Sequence, residues 1–191
     1  MLVLQFLHIA RHDHQPYHIP MKETLAENSE REHNFTSVSF VILKPLGAQE
    51  PIRSQILTQL SQHVTIISTH KFSPSREQIH NLYKPNGIDQ SGTPKPYFAP
   101  MVEYFVNKEI EFVLLGSNQQ SEDTLIKTID MQIGFWNPNE ANRGEIRHLM
   151  IEHKLQYDLE SDYDNLIHSP SSAEDMRREL EIFLDDISNS S

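Results

Sequence analysis

Three apolar segments, separated by stretches with helical periodicity, constrain the fold of this chain most strongly. The segments Val38–Ile42, Val64–Phe72 and Ile110–Leu115 are rich in branched and aromatic residues, as is typical of largely buried strands. Apolar side chains recur every three or four positions in residues 51–62 and 97–106, which predicts amphipathic helices there. Strands and helices that alternate in this way must share one core.

The complete predicted order is strand, helix, strand, two helices, strand, helix, polar loop, strand and helix. One helix is expected to start at Ser73-Pro74-Ser75, before a Gly/Pro-rich loop over residues 84–96, and another at Ser121. A fourth strand is expected near Leu149–Leu155, after the polar loop of residues 134–144. This order favours an α+β sandwich of the ferredoxin-like type, in which helices cover a four-stranded, mostly antiparallel sheet.

The length of 191 residues suits one domain with an appendage. We expect an N-terminal extension over residues 1–34, a domain over 35–187 and a disordered tail over 188–191. The extension carries five histidines, His8, His12, His14, His18 and His33. A metal site needs three or four convergent ligands, which this spacing does not guarantee, so a flexible or docking arm is the favoured interpretation and no metal site is predicted.

Charge and cysteine content exclude several classes of function. The net charge of -11 argues against broad nucleic-acid binding and against adsorption to anionic membranes. The absence of cysteine excludes disulfides and thiol nucleophiles. The apolar start is interrupted at His8 and makes a poor signal peptide, and no segment approaches the ~20 apolar residues of a membrane span. We expect a cytoplasmic protein without nucleic-acid or membrane partners.

The segment Asn165-Leu166-Ile167-His168 contains the strongest candidate for a catalytic side chain. A Ser/Pro turn follows it, and then a helix from Ala173 to Leu184 that Ser171 or Ser172 can cap. A histidine at a strand-to-helix corner is held rigidly and still reaches a cleft, and its imidazole is nucleophilic at neutral pH. From this spacing alone, a structural histidine remains the commoner interpretation.

Four separated segments, in the same order, resemble the nucleoside diphosphate kinases. They are Val41–Gly47, similar to a strand ending in Lys-Pro-Asp-Gly; Lys95–Val102, similar to Arg-Pro-Phe-Phe; Ile133–Arg147, similar to the Gly-x-Thr-Asn-Pro loop and Gly-Thr-Ile-Arg; and Asn165–His168 with Glu179, similar to the Asn-x-x-His signature and the helix after it. The resemblance extends from about Phe35 to Leu184 and implies the same fold and a nucleotide cleft.

The resemblance implies an enzyme that moves the terminal phosphate of a nucleoside triphosphate to a nucleoside diphosphate. His168 would carry the phosphate as phosphohistidine, and Glu179 would orient its ring. Mg²⁺ would be bound with the nucleotide and not in a protein cage. Nucleoside tri- and diphosphates are therefore the expected partners, together with a possible homo-oligomer.

Five further residues match the family's nucleotide-binding positions. Lys44 and Asn165 would bond the ribose hydroxyls, and Arg147 would bind phosphate through its forked donors. Tyr83 would lie near the phosphates, and Tyr97 would stack on the base. Without the resemblance, each of these would be interpreted as an ordinary turn, loop, surface or core residue.

The chain departs from the family pattern around the expected phosphate site. Leu46 replaces a turn aspartate, Asp130 replaces a phosphate-binding arginine, Trp136 replaces a threonine, and Pro170 replaces a serine two residues after the nucleophile. An anion at position 130 should weaken polyphosphate binding unless Lys127 or Arg143 supplies the lost charge. The loops over residues 84–95 and 148–164 are longer than usual.

These departures leave three functional hypotheses. The first is a nucleoside diphosphate kinase with an altered phosphate site and reduced activity. The second is a nucleotide-binding or protein-interaction module on the same fold without catalysis, suggested by Asp130, Trp136 and Pro170. The third is a divergent phosphotransferase that uses His168 on another phosphorylated substrate or on a protein, suggested by the longer loops.

Overall fold

A four-stranded antiparallel sheet organises the computed structural model, which describes residues 17–18, 34–157 and 163–189. Strands β1 Tyr17–His18 and β2 Asn34–Phe35 form a separate two-stranded sheet, and the four-stranded sheet consists of β3 Ser37–Leu43, β4 Thr65–Phe72, β5 Ile110–Ser117 and β6 Ile167–His168. The helices are α1 Ile52–Ser61, α2 Arg76–Gly87, α3 Phe98–Phe105, α4 Glu122–Ile133, α5 Leu149–Glu152 and α6 Ala173–Asn189, with 3-10 turns at Pro138–Glu140 and Ile146–His148. The predicted α+β class is confirmed.

The strand order β4-β5-β3-β6 places the end of β3 beside β6. In the antiparallel β3–β6 pair, Ile42 lies opposite His168 and Leu43 lies opposite Ile167. Lys44 directly follows β3, and Asn165 and Leu166 directly precede β6. The register therefore brings the Lys44 turn and the Asn165–His168 segment together, although more than 100 residues separate them in sequence.

The predicted fourth strand at residues 149–155 is wrong. Leu149–Glu152 is the short helix α5, and the fourth strand of the sheet is the two-residue β6. Leu149 and Met150 are apolar because they pack in the same core cluster as Ile146, and not because they alternate between two faces of a sheet. The loop predicted over residues 84–96 also begins too early, since α2 continues to Gly87.

Apolar side chains fill both faces of the sheet. Residues of β3 alternate, so that Val41 and Leu43 belong to one buried cluster while Phe40 and Ile42 belong to the other. The first cluster includes buried side chains of α1, α4 and α5, and the second includes those of α6. In the second cluster, the rings of Phe40 and Phe112 stack with their centroids 4.6 Å apart.

Several predicted features lie wholly or partly outside the described residues. Of the N-terminal histidines, the structure describes only His18, in a strand whose Tyr17 lies opposite Phe35. The extension, domain and tail boundaries remain predictions, and residues 190–191 and most of the first 33 fall outside. No helix within the described ranges has the length and apolar content of a membrane span.

Candidate active site

His168 ends strand β6, with its side chain held from one side by helix α6. Its Nε2 lies 2.7 Å from Oε2 of Glu179, and the two side chains are only 19% and 5% exposed. Because an ionised carboxylate accepts and does not donate, Nε2 carries the proton in the neutral ring. Nδ1 then holds the lone pair, and it has no hydrogen-bond partner within the described ranges. The free nucleophilic atom is therefore Nδ1.

The backbone that leads to His168 adopts an unusual conformation at Leu166. This buried residue has φ 75°, in a region that costs a non-glycine residue about 1 kcal/mol or more. Three contacts hold it in place. Its N–H donates to Asp164 Oδ1 over 3.0 Å, its carbonyl accepts from the Lys44 N–H over 2.8 Å, and Gly47 leaves room for that carbonyl.

Lys44 reaches the same point from the end of β3. Its Nζ donates to Asn165 Oδ1 over 2.7 Å and to the Tyr163 carbonyl over 3.0 Å. Burial lowers the pKa of Lys44 to about 7, and the negative charge of Asp164 opposes this shift. The predicted pair Lys44 and Asn165 is therefore in direct contact.

Asp164 is a buried member of this cluster that the sequence did not single out, because it ends an apparently solvated acidic stretch. It is 3% exposed, and its Oδ2 accepts from the Leu46 N–H over 2.8 Å. Burial raises the pKa of Asp164, while Lys44 and the backbone hydrogen bonds act against this shift. Asp164 thus ties the turn after β3 to the segment that carries His168.

Tyr83 brings helix α2 to the histidine. Its ring meets that of His168 edge to face, with centroids 5.7 Å apart, and stacks on Phe105 at the same separation. The Lys44 ammonium lies 5.8 Å from the centroid of the Tyr83 ring. Burial raises the pKa of the Tyr83 phenol, so the hydroxyl stays protonated and can donate to a phosphate oxygen.

Arg147 approaches the backbone of the nucleophile from the loop after α4. Its Nη2 donates to the carbonyl of Ile167 over 3.2 Å, and its Nη1 donates to that of Gly134 over 2.7 Å. Burial lowers the pKa of Arg147, and the charge of Asp130 opposes this shift most. Its Nε is buried and has no hydrogen-bond partner in the part of the chain that the structure describes.

The remaining candidate positions lie at the edge of this cluster. The Trp136 carbonyl accepts from Asn165 Nδ2 over 2.7 Å, while the residue as a whole is 55% exposed. Tyr97 is 40% exposed and donates its hydroxyl to the Asn86 carbonyl. Across the described ranges, no hydrogen bond or ring contact links Tyr97 to the His168 cluster. Pro170 is buried, and Asp130 is exposed.

The sequence also did not single out Arg178, the residue before Glu179. Its Nη2 lies 2.8 Å from the second oxygen of Glu179. A lysine or arginine near acidic residues on a helix usually forms an exposed ion pair with one of them. The sequence around Arg178 therefore indicates only a helical pair with Asp175, three residues earlier. No group of three or more His, Asp or Glu side chains suited to a metal ion is found among the described residues.

Comparisons with known proteins place this chain in a family. The family model described as nucleoside diphosphate kinase matches residues 37–188. A nucleoside diphosphate kinase of Saccharolobus solfataricus is 26% identical over 148 residues, which are 77% of this chain and 94% of that protein. One from Methanocorpusculum labreanum is 30% identical over 145 residues, or 75% and 85% of the two chains.

Solved structures agree on the fold. A nucleoside diphosphate kinase family protein from Babesia bovis superposes with a TM-score of 0.59 at 20% identity, covering 77% of this chain and 87% of that one. The enzyme from Aquifex aeolicus gives a TM-score of 0.56 at 21% identity, covering 77% and 94%. These likenesses confirm the expected fold, and with the family match over residues 37–188 they lead to one conclusion. The chain belongs to the nucleoside diphosphate kinase family, as a divergent member.

Proposed function

We propose that this protein transfers the terminal phosphate of a nucleoside triphosphate to a nucleoside diphosphate through a phosphohistidine at His168. The observation that carries the proposal is the 2.7 Å contact between His168 Nε2 and Glu179. It fixes the ring and, in the neutral imidazole, places the proton on Nε2, so that the Nδ1 lone pair is free to attack. Membership of the family supports the same reaction, since the relatives that match most of the chain are named nucleoside diphosphate kinases.

In the proposed first step, the Nδ1 lone pair attacks the terminal phosphorus in line. A P–N bond forms while the bond from that phosphorus to the bridging oxygen breaks, and the nucleoside diphosphate leaves with the electron pair. The phosphorylated ring is positively charged, and Glu179 stabilises it by accepting from Nε2–H. A second nucleoside diphosphate then attacks the phosphorus, the P–N bond breaks, and neutral His168 is restored.

The surrounding side chains have donors suited to a nucleotide. Arg147, whose Nε lacks a partner, and Tyr83, whose hydroxyl stays protonated, would bind phosphate oxygens. Lys44 and Asn165 would bond the ribose hydroxyls, and the exposed Tyr97 ring would stack on the base. Mg²⁺ prefers oxygen ligands, which the nucleotide phosphates supply, and would spread the charge that develops on them.

The test is acid-labile, base-stable labelling of the protein by γ-labelled ATP with Mg²⁺. We expect labelling of the wild type and its loss in His168→Ala, with transfer of the label to an added nucleoside diphosphate. His63→Ala replaces an exposed histidine and should label normally. Absence of label from the wild type with every divalent metal tried would exclude the proposal.

One observation favours a second candidate, a nucleotide-binding module without catalysis. The groups assigned to the nucleotide already donate to the protein: Lys44 to Tyr163 and Asn165, and Arg147 to two backbone carbonyls. A nucleotide that left these bonds in place would bind without the phosphate alignment that transfer requires, and the charge of Asp130, which acts on Arg147, would disfavour a phosphate beside it. Binding of nucleotide in a calorimeter, without labelling of His168, would support this candidate over the first.

A further inference from the structure

The carboxylate that contacts the nucleophile is held at both of its oxygens. Glu179 Oε2 lies 2.7 Å from His168 Nε2, and Glu179 Oε1 accepts from Arg178 Nη2 over 2.8 Å. The Glu179 side chain is only 5% exposed, so little water competes for either oxygen. A carboxylate bonded at one oxygen still rotates about its last torsion, whereas one bonded at both is fixed.

Besides Glu179, two further groups hold Arg178. The same Nη2 lies 3.3 Å from Asp175 Oδ1, and Nη1 donates to the Asn81 carbonyl of helix α2 over 3.3 Å. Asp175 in turn accepts from the hydroxyl of Ser172. The guanidinium therefore bridges α6 to α2, the helix that also carries Tyr83. An ordinary solvated arginine would not be constrained by two helices.

The side chain at position 170 offers no alternative support. Pro170 is buried two residues after the nucleophile and has neither a hydroxyl nor any other side-chain donor. The only side-chain donors that contact the Glu179 carboxylate, within the described ranges, are His168 and Arg178. The orientation of Glu179 thus depends on Arg178 from one side and on the nucleophile itself from the other.

We propose that Arg178 is a positioning residue for phosphoryl transfer, which acts on His168 through Glu179. This inference rests on the proposed function. Arg178 holds one oxygen of Glu179 and thereby fixes the other oxygen, which faces Nε2, so that the Nε2–H tautomer and the direction of Nδ1 are set before the nucleotide binds. Because Arg178 bonds the carboxylate and not the nucleotide, its loss should slow the chemical step and leave nucleotide binding nearly unchanged.

The kinetic test compares single-turnover phosphorylation of His168 by ATP in four proteins. We expect Arg178→Met to lower the maximal rate at least tenfold, while the ATP concentration for half-maximal rate changes less than twofold. Arg178→Lys should recover part of the rate, because an ammonium restores the charge without the fork. The matched control is Arg177→Met, which removes a neighbouring arginine paired with Glu122 and should stay within twofold of wild type.

A double variant separates positioning from general destabilisation. If Arg178 acts through Glu179, adding Arg178→Met to Glu179→Gln should not lower the phosphorylation rate below that of Glu179→Gln alone. Thermal unfolding identifies any variant that does not fold. The inference would be overturned if the fold-losses in rate of the two single variants multiplied in the double variant, or if Arg178→Met kept the wild-type rate.

A third measurement does not depend on catalysis. Long-range ¹H–¹⁵N spectra of the protein with labelled histidine report the tautomer of His168, assigned by comparison with His168→Ala. We expect the Nε2–H tautomer alone in the wild type and a mixture in Arg178→Met. If ATP does not phosphorylate the wild type but Arg178→Met still shows a mixture of tautomers, the proposed function is excluded and the role of Arg178 in fixing the ring stands. If Arg178→Met keeps the wild-type tautomer, that role is excluded.

Discussion

At the scale of single residues, buried polar groups determine the geometry beside His168. Lys44 and Asp164 are 7% and 3% exposed, and burial shifts their pKa values in opposite directions, down for the lysine and up for the aspartate. The two charges act on each other through space, and desolvation of both offsets their attraction, so they contribute defined geometry more reliably than net stability. Two predictions follow from the pair.

The free energy of unfolding should rise with pH between about 7 and 10. The pKa of Lys44 is about 7 in the folded protein and near 10.5 in an unfolded chain. Between these values the unfolded chain binds more protons, so raising the pH favours the folded state. Urea unfolding at several pH values should therefore show that the free energy of unfolding rises more steeply with pH in the wild type than in Lys44→Met. Lys71→Met, at an exposed lysine, should keep the wild-type slope, and equal slopes in all three would contradict the prediction.

Asp164→Asn should destabilise the protein by about 2–4 kcal/mol, because one amide cannot accept at both positions and the buried Lys44 loses its counter-charge. The strained Leu166 should relax, and labelling of His168 should fall at least tenfold. Urea unfolding and the labelling rate measure both effects. Asp123→Asn, at an exposed position in the first turn of α4, should cost no more than about 1 kcal/mol. A fully stable and active Asp164→Asn would show that the carboxylate is dispensable.

At the scale of elements, the site depends on how α2 and the turn after β3 are fixed. Ser75 caps α2, since its hydroxyl accepts from the Gln78 N–H while Gln78 Oε1 accepts from the Ser75 N–H. Gln78 also donates to the Ile182 carbonyl of α6. These contacts set the position of Tyr83 relative to His168. The turn after β3 instead depends on the close approach of two backbones.

Gly47→Ala should disturb this turn and lower the labelling rate. A Cβ at position 47 would lie 2.1 Å from the Leu166 carbonyl oxygen, and backbone cannot move aside as a flexible side chain does. We expect a loss of about 1–3 kcal/mol in urea unfolding and slower labelling. Gly92→Ala is the comparison, since it has φ 83° but open space around it. Gly92→Ala should lower the free energy of unfolding slightly and leave the labelling rate of His168 unchanged. An unchanged labelling rate in Gly47→Ala would refute the prediction.

At the scale of the whole molecule, helices cover both faces of the sheet, and one buried ion pair joins a helix to the central strands. Arg53 of α1 donates from Nε and Nη2 to the two oxygens of Glu111 in β5, over 2.6 and 2.5 Å. The Glu111 side chain is 1% exposed. Such a charge is tolerated in a sheet only because both of its oxygens are bonded.

Arg53→Met should therefore cost about 3–5 kcal/mol, because it leaves Glu111 buried without a partner. Urea unfolding measures the loss, and the double variant Arg53→Met with Glu111→Leu should recover most of it. Labelling of His168 should persist in whatever fraction stays folded, since no hydrogen bond or ion pair among the described residues links Arg53 or Glu111 to the cluster around His168. A loss below 1 kcal/mol in Arg53→Met would mean that water reaches Glu111 when the arginine is absent.

The sequence by itself determined the three long strands, the main helices and the α+β class. These features follow from local periodicity, because a strand such as β5 or an amphipathic helix such as α4 must bury an apolar face wherever it lies. The family resemblance also indicated the site residues, and the structure places Lys44, Tyr83, Arg147, Asn165 and Glu179 around His168. Their roles in nucleotide binding and catalysis remain predictions.

Only the tertiary structure decided the rest. Strand β6 has two residues, too few for any period, and it exists because β3 offers it a partner. Asp164 and Arg178 look like surface charges in the sequence. The distant Leu46 N–H bonds the buried Asp164, and the distant Asn81 carbonyl holds Arg178 beside Glu179. The strained Leu166 depends in the same way on Asp164, Lys44 and Gly47. Such properties arise from contacts between residues far apart in the chain, and local sequence patterns carry no record of those contacts.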